Sequence, residues 1–317
     1  MRGVFLDAAT VSRGDLDLSP LHESLSGLTL HDTTDPSEVV SRLAGQQVVV
    51  NNKCRLDREA LAANPQVKLI ALTATGYDCV DLDAAREQGV AVCNVRDYCT
   101  SSVVQHVFGM ILSLTHHLGR YDALARSGGW ASAPSFSEFA FPMRELEGRA
   151  LGIVGHGALG SAVGRVGEAF GMRVLIANRP GGEPQPGRLE LDNLLAEADI
   201  LSLHCPLNES TRGLIGRREL SLMKPDALLI NTARGGLVDA AALAESLRAG
   251  RLGGAGIDVL NQEPPVDGGP LLDPTLPNLL LTPHVAWAAR EARQRCIDEV
   301  AENIRAHARG ERRYRID

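Results

Sequence analysis

Two doubly wound α/β units, each built on a parallel sheet, are what this sequence predicts, and three observations carry the prediction. Short apolar stretches alternate with helical patterns along nearly the whole chain. One of these stretches runs into a glycine turn, Gly155-His156-Gly157-Ala158-Leu159-Gly160, that opens a helix. The length, 317 residues, suffices for two domains of ordinary size with separate cores.

Strand-like segments in the first hundred residues are 3–7, 28–31, 47–51, 67–72 and 90–94. Helical patterns fit between them, one with an acidic start at Asp35-Pro36-Ser37-Glu38 and another over 56–63. No phosphate-binding glycine fingerprint follows the first strand, so this half carries no evident nucleotide site. A capping-type cluster at 97–102 precedes a long apolar helix over 103–118, whose Val104, Val107, Phe108, Ile111, Leu112 and Leu114 exceed what one packing stripe needs. The stretch 120–147 holds Trp130, Phe136, Phe139 and Phe141 with little periodicity and reads as an arm or lid.

From Arg149 a second αβ series begins. Residues 149–154 form a strand, 158–170 a helix and 173–177 the next strand, the βαβ unit that a G-x-G-x-x-G turn requires. Such a Rossmann turn needs a tight bend at Gly155, a bare backbone at Gly157 where a pyrophosphate approaches, and close helix packing at Gly160. The helix then offers its free N–H groups to the anion. Further strands fall at 200–204, 227–231, 255–259 and 279–282, with helices at 191–198 and 239–249, the latter capped by Asp239. The last helix, 288–308, leaves this series and is placed to complete the first domain.

Composition narrows the function. With 44% apolar and 22% charged residues the chain is globular, and a net charge of −7 leaves no basic stripe for nucleic acid. No uncharged apolar run reaches bilayer length, so a soluble, cytoplasmic protein without a membrane partner is expected. Cys54, Cys79, Cys93, Cys99, Cys205 and Cys296 stand singly without metal-ligand spacing. Reduced, mostly buried thiols and no metal site follow.

Three polar residues each follow a predicted strand: Arg234, Glu263 and His284. Ligands in open α/β sheets sit beyond the carboxyl ends of strands, so the three converge on one pocket. A guanidinium grips a carboxylate or polarises a carbonyl. An imidazole beside a carboxylate is held protonated above its ordinary range and donates a proton to a developing alkoxide.

With these residues in view, the chain resembles the D-isomer-specific 2-hydroxyacid dehydrogenase family over nearly its whole length. The segments that carry the resemblance are 155–160, 202–207, 231–236, 258–265 and 282–287. It implies a catalytic triad of Arg234, Glu263 and His284, with Asp258 and the Thr232/Ala233 backbone near the nicotinamide carboxamide. Cys205, Pro206 and Thr211 join the cofactor-binding set. The loop Ala74-Thr75-Gly76 is implied to offer N–H groups to the substrate carboxylate, and Trp287, like Trp130, either shapes the pocket or packs.

The resemblance also implies a Rossmann NAD(P)-binding domain, residues 99–286, inserted in a flavodoxin-like substrate domain made of 1–98 plus 287–317. Residues 100–147 then form a homodimer interface, and domain closure around the cofactor excludes water. The wording of 202–206 and 285–295 is most similar to the glycerate dehydrogenase or hydroxypyruvate reductase branch, which points to small 2-oxo acids such as hydroxypyruvate and glyoxylate.

One departure bears on the cofactor. Where an NAD enzyme offers Asp or Glu to the ribose, this chain has Asn178-Arg179. Loss of the carboxylate removes repulsion toward a 2′-phosphate and Arg179 binds it, so NADP(H) is favoured, with NAD(H) the alternative in which Asn178 bonds the ribose. His156 contributes backbone only, and His106, His116, His117 and His204 read as structural. The rival functions are a dehydrogenase for a larger or phosphorylated hydroxy acid and, from another class, a dinucleotide-sensing corepressor-like binding protein.

Overall fold

A computed structural model describes residues 1–317. The chain forms two compact units, Met1–Cys99 with Trp287–Asp317, and Thr100–Ala286.

In the first unit, β1 (Arg2–Phe5), β2 (Gly27–Leu30), β3 (Val48–Asn51), β4 (Leu69–Leu72) and β5 (Ala91–Cys93) pair in parallel in the order β2-β1-β3-β4-β5. Every residue of β3 and β4 is buried, as strands covered on both faces must be. Their side chains alternate between two cores. Val48, Val50, Leu69 and Ala71 join Phe5 on one face, and Val49, Ile70 and Leu72 join Val4 and Leu6 on the other.

The short helices α1 (Ser19–Ser24), α2 (Val39–Leu43), α3 (Arg58–Ala62) and α4 (Leu82–Glu87) lie between the strands. The Asp35–Glu38 start forms, but as one 3-10 turn, Pro36–Glu38, braced by the Glu38 carboxylate accepting from the Asp35 N–H at 3.1 Å. The long helix over Arg290–Ala308, numbered α11 in chain order, sets Cys296, Ile297, Val300, Ala301 and Ile304 on one face of this unit's core. The segment after it adds to the sheet: Ile316 N–H bonds Val92 O at 3.0 Å and Arg315 bridges Cys93 antiparallel.

The second unit opens with α5 (Thr100–His116) and α6 (Leu118–Arg126), followed by β6 (Ala150–Val154), α7 (Ala158–Ala169), β7 (Arg173–Ile176), α8 (Leu191–Glu197) and β8 (Ile200–Leu203). Then come α9 (Arg217–Leu222), β9 (Leu228–Asn231), α10 (Ala240–Arg248), β10 (Gly254–Ile257) and β11 (Leu279–Leu281). The six strands are parallel in the order β11-β10-β9-β8-β6-β7. From β6 the chain first moves outward to β7, then crosses back to β8 on the other side, which makes β6/β8 the switch point where a ligand crevice forms.

Three expectations need correction. The stretch after residue 120 is not all irregular, because its start belongs to α6. This helix has no buried residue, so it leaves no apolar stripe in the sequence. The helix expected to run to Leu118 stops at His116, where His117 turns left-handed at φ +50°. The thiols are all free, but only Cys93, Cys205 and Cys296 are buried.

Candidate active site

The glycine turn sits at the end of β6, and each glycine has its own reason. Gly155 takes φ +93°, and a Cβ there would stand 2.5 Å from Cys205 N and 2.6 Å from His204 C. A Cβ on Gly160 would overlap the Gly155 carbonyl oxygen, so the helix packs on the turn only without a side chain. At Gly157 such a Cβ would meet no atom within 4 Å beyond its immediate chain neighbours and its own helix. This bare backbone at the start of the twelve-residue α7 is open to an anion, so the turn fits a dinucleotide pyrophosphate. His156 and Ala158 are exposed and Leu159 half-buried beside it.

At the end of β7, Asn178 does not stand free. Its Oδ1 accepts from Gln185 N–H at 2.9 Å, and its Nδ2 donates to Glu190 Oε1 at 2.7 Å. Glu190 escaped the sequence reasoning. The bridge between Ala177 and Leu189 brings it there from twelve residues away, a pairing no local pattern signals. Arg179 is exposed and makes no ion pair. In the loop after β8, Thr211 turns its hydroxyl to Pro206 O at 2.7 Å and so braces that loop. Cys205 is buried, its thiol pushed up to about 11 by desolvation, and its backbone lies against Gly155. Half-buried His204 touches Ser202 Oγ through Nε2 at 2.8 Å, and desolvation of its ring pushes its pKa down to about 4.

Beyond β9, buried Asn231 shapes the turn that carries Arg234. Its Nδ2 donates to Arg234 O at 2.9 Å and its Oδ1 accepts from Ala233 N–H at 3.1 Å. Thr232 Oγ1 is buried without a partner. A Cβ on Gly235 would overlap the backbone of Leu260 and Asn261, so the Arg234 turn lies directly on the loop that follows β10.

In that loop Glu263 bridges two groups. Oε1 accepts from Leu260 N–H at 2.7 Å, and Oε2 stands 2.5 Å from His284 Nδ1. His284, after β11, holds a left-handed backbone at φ +56°, a conformation few non-glycine residues adopt and one that collects at functional sites. Its N–H donates to Asp258 O at 2.8 Å. The Asp258 carboxylate is buried and accepts from Val285 N–H, Ala286 N–H and Thr282 Oγ1 at 2.9, 2.9 and 2.5 Å. Asp258, Leu260, Glu263, Leu281, Thr282 and His284 line a cavity of about 390 Å³.

The residues expected to hold substrate, apart from Arg234 and His284, belong to the first unit. The Ala74-Thr75-Gly76 loop follows β4, and Thr75 Oγ1 donates to Val95 O at 2.7 Å, while Asn94 Nδ2 donates to Thr75 O at 2.8 Å. These bonds hold the loop through its other atoms, and the N–H groups of residues 74–76 donate to no group of the protein. Gly76 also lines a cavity of about 590 Å³ with Asn52, Lys53 and Cys79. Trp287 packs against the first core, edge-on to Tyr98 with centroids 6.3 Å apart. No cluster of three or more metal-ligating side chains occurs, and no helix is long and apolar enough to cross a membrane.

Chemically, then, the second unit presents a glycine turn open to an anion, a guanidinium on a braced turn, and a carboxylate bonded to an imidazole. Residues 108–286 match the family model for the D-isomer specific 2-hydroxyacid dehydrogenase NAD binding domain. Over 307 residues the chain is 41% identical to glycerate dehydrogenase of Methylorubrum extorquens, covering 97% of this chain and 96% of that one. It is 35% identical to hydroxypyruvate reductase of Blautia hydrogenotrophica, covering 98% of both. Among solved structures, the TT0316 protein of Thermus thermophilus superposes with a TM-score of 0.87 at 35% identity, covering 100% of both chains. A nicotinamide dinucleotide is therefore its cofactor, and the chain belongs to the D-isomer-specific 2-hydroxyacid dehydrogenase family of oxidoreductases.

Proposed function

We propose that this enzyme reduces small 2-oxo acids, hydroxypyruvate and glyoxylate first among them, to D-2-hydroxy acids, with NADP(H) as the favoured cofactor. The observation that carries the reading is the 2.5 Å contact between His284 Nδ1 and Glu263 Oε2. It commits Nδ1 as a donor and leaves Nε2 to hold the second imidazolium proton, which passes to the carbonyl oxygen as that oxygen gains charge. Glu263 offsets the positive charge and fixes the ring plane. Arg234 orients the keto acid, since a planar fork matches a carboxylate or a carbonyl better than a point charge does. We assign carboxylate recognition also to the N–H groups of Ala74, Thr75 and Gly76.

Bound nicotinamide supplies the hydride. Gly155, Gly157 and Gly160 with the α7 N-terminus would hold its pyrophosphate, and Thr232, Ala233 and Asp258 its carboxamide side. The unpaired guanidinium of Arg179 supports a 2′-phosphate, hence NADP(H) over NAD(H). Exposed Phe136, Phe139, Trp130 and Leu118, at 90%, 85%, 56% and 55%, support a homodimer built on α5, α6 and the arm. Free thiols support a cytoplasmic setting.

A steady-state panel of glyoxylate, hydroxypyruvate, pyruvate and phenylpyruvate against NADPH and NADH tests the reading. Hydroxypyruvate or glyoxylate with NADPH should give the highest kcat/KM. Phenylpyruvate ahead of both, or NADH ahead by about tenfold, would overturn the substrate or the cofactor assignment respectively.

A further inference from the structure

The His106 side chain has no place in the reaction as described, yet its ring points into the group that holds the catalytic loop. It lies on α5, which packs across β10. Met110, one turn further along α5, stands 3.0 Å from where a Cβ on Gly256 would be. His106 therefore lies over the end of β10, and its Nε2 is 3.0 Å from Thr282 Oγ1 and 3.6 Å from Asp258 Oδ1.

The direction of these bonds follows from counting protons. The Thr282 hydroxyl has one hydrogen, and it goes to Asp258 Oδ1 at 2.5 Å, because a carboxylate only accepts. Thr282 Oγ1 must then accept from His106, which fixes the proton on Nε2. A directed chain results, from His106 Nε2–H to the Thr282 hydroxyl to the Asp258 carboxylate.

Asp258 is the residue that holds the His284 segment. Its carboxylate takes the N–H groups of Val285 and Ala286, and its carbonyl takes the N–H of His284 itself. The left-handed backbone of His284 persists only while these bonds define it. The Asp258 side chain is fully buried, and His106 is the only side chain able to carry positive charge within 4.0 Å of it. A buried carboxylate without a closer charged partner depends strongly on each of these donors.

We propose that His106 is a positioning residue for catalysis: through Thr282 it orients Asp258 and thereby sets the geometry of His284. The inference rests on His284 as the proton donor. A loosened Asp258 would let the imidazole drift from the reacting carbonyl while leaving the glycine turn, at the far side of β10, untouched.

The test compares His106→Leu, His106→Gln, Thr282→Val, Thr282→Ser and His284→Ala, measuring kcat, KM for hydroxypyruvate, the Kd for NADPH by fluorescence, and Tm. His106→Leu and Thr282→Val should each lower kcat by about tenfold or more, with a clearly smaller loss of NADPH affinity, because Asp258 also faces the carboxamide side while the glycine turn that holds the pyrophosphate stays intact. Gln and Ser, which restore a donor and a hydroxyl, should recover most of the loss. The double variant His106→Leu/Thr282→Val should cost no more than the worse single one, since the two act in one chain. An unchanged kcat in His106→Leu would overturn the inference, as would a Gln variant no better than Leu, or Tm and Kd falling in step with kcat. If His284→Ala keeps its activity, the proton-donor assignment fails instead, and the two failures are distinct.

Discussion

Replacing Gly235 by Ala is the sharpest perturbation this structure offers, because it adds one methyl group where the Arg234 turn and the Glu263 loop touch. The new Cβ would fall on the Leu260 carbonyl and the Asn261 nitrogen, well inside the 3.4–4 Å of ordinary contact. Both obstacles are backbone, so no side chain can rotate away. The Arg234 turn and the Glu263 loop must separate by roughly 1 Å, a displacement that costs about 10²-fold in a preorganised site. That corresponds to about 2.7 kcal/mol of transition-state stabilisation at 1.36 kcal/mol per tenfold. Overpacking of this kind costs about 1–3 kcal/mol of stability as well. The assay is kcat/KM for hydroxypyruvate beside Tm and NADPH binding. We expect a fall of about 10²-fold in kcat/KM with the NADPH Kd little altered, since the glycine turn after β6 is remote from the collision. A Gly235→Ala enzyme within about threefold of the parent, at unchanged Tm, would refute the claim that close approach of these loops sets the catalytic geometry.

Other outcomes follow from the same geometry. Glu263→Gln keeps a hydrogen-bonding group near His284 Nδ1 but loses the charge, so kcat should drop by about 10²-fold or more with little change in cofactor affinity, read by stopped-flow and equilibrium titration. Glu190→Gln removes the carboxylate that Asn178 holds at the end of β7 and should raise the NADPH over NADH preference, whereas Arg179→Ala should lower it; ratios of kcat/KM for the two cofactors decide. The desolvated ring of His204, held down at about 4, favours the neutral form in the fold, while its unfolded value is 6.5. Its stabilisation is therefore fully present above the unfolded value and is lost as pH falls through 6.5 toward 4. Between about pH 7.5 and about pH 5 this amounts to about 2 kcal/mol, and His204→Gln should show that much less loss in urea midpoints.

Much of the architecture was legible because parallel strands are buried on both faces. β6, β8 and β9 are buried at every residue and read as apolar runs interrupted only by Ser202 and closed by Asn231, and Asp239 marks the start of α10 by its side chain bonding Ala241 and Ala242 N–H. The short α1 and α9 are harder to see, since six residues hold too little periodicity. The candidate site divides the same way. Gly155, Arg234, Glu263 and His284 each follow a readable strand, so their placement at strand ends was available from order alone.

What joins them was not. The Gly235 contact with Leu260, the Asn178 link to Glu190 and the His106 link to Thr282, 176 positions away, are tertiary facts that leave no local trace. His106 in particular reads as one polar residue on an apolar helix until the strand ends beneath it are located.

The helix α11 gives the first domain an unusual schedule. Its Ile297, Val300 and Ile304 close one face of a sheet whose strands all precede Cys99. During synthesis those strands leave the ribosome with that face still open to water, while residues 100–286 assemble and finish a core of their own. The part made first is thus the last to mature, and protease resistance of stalled nascent chains should appear in the nucleotide-binding unit before it appears in the strands upstream.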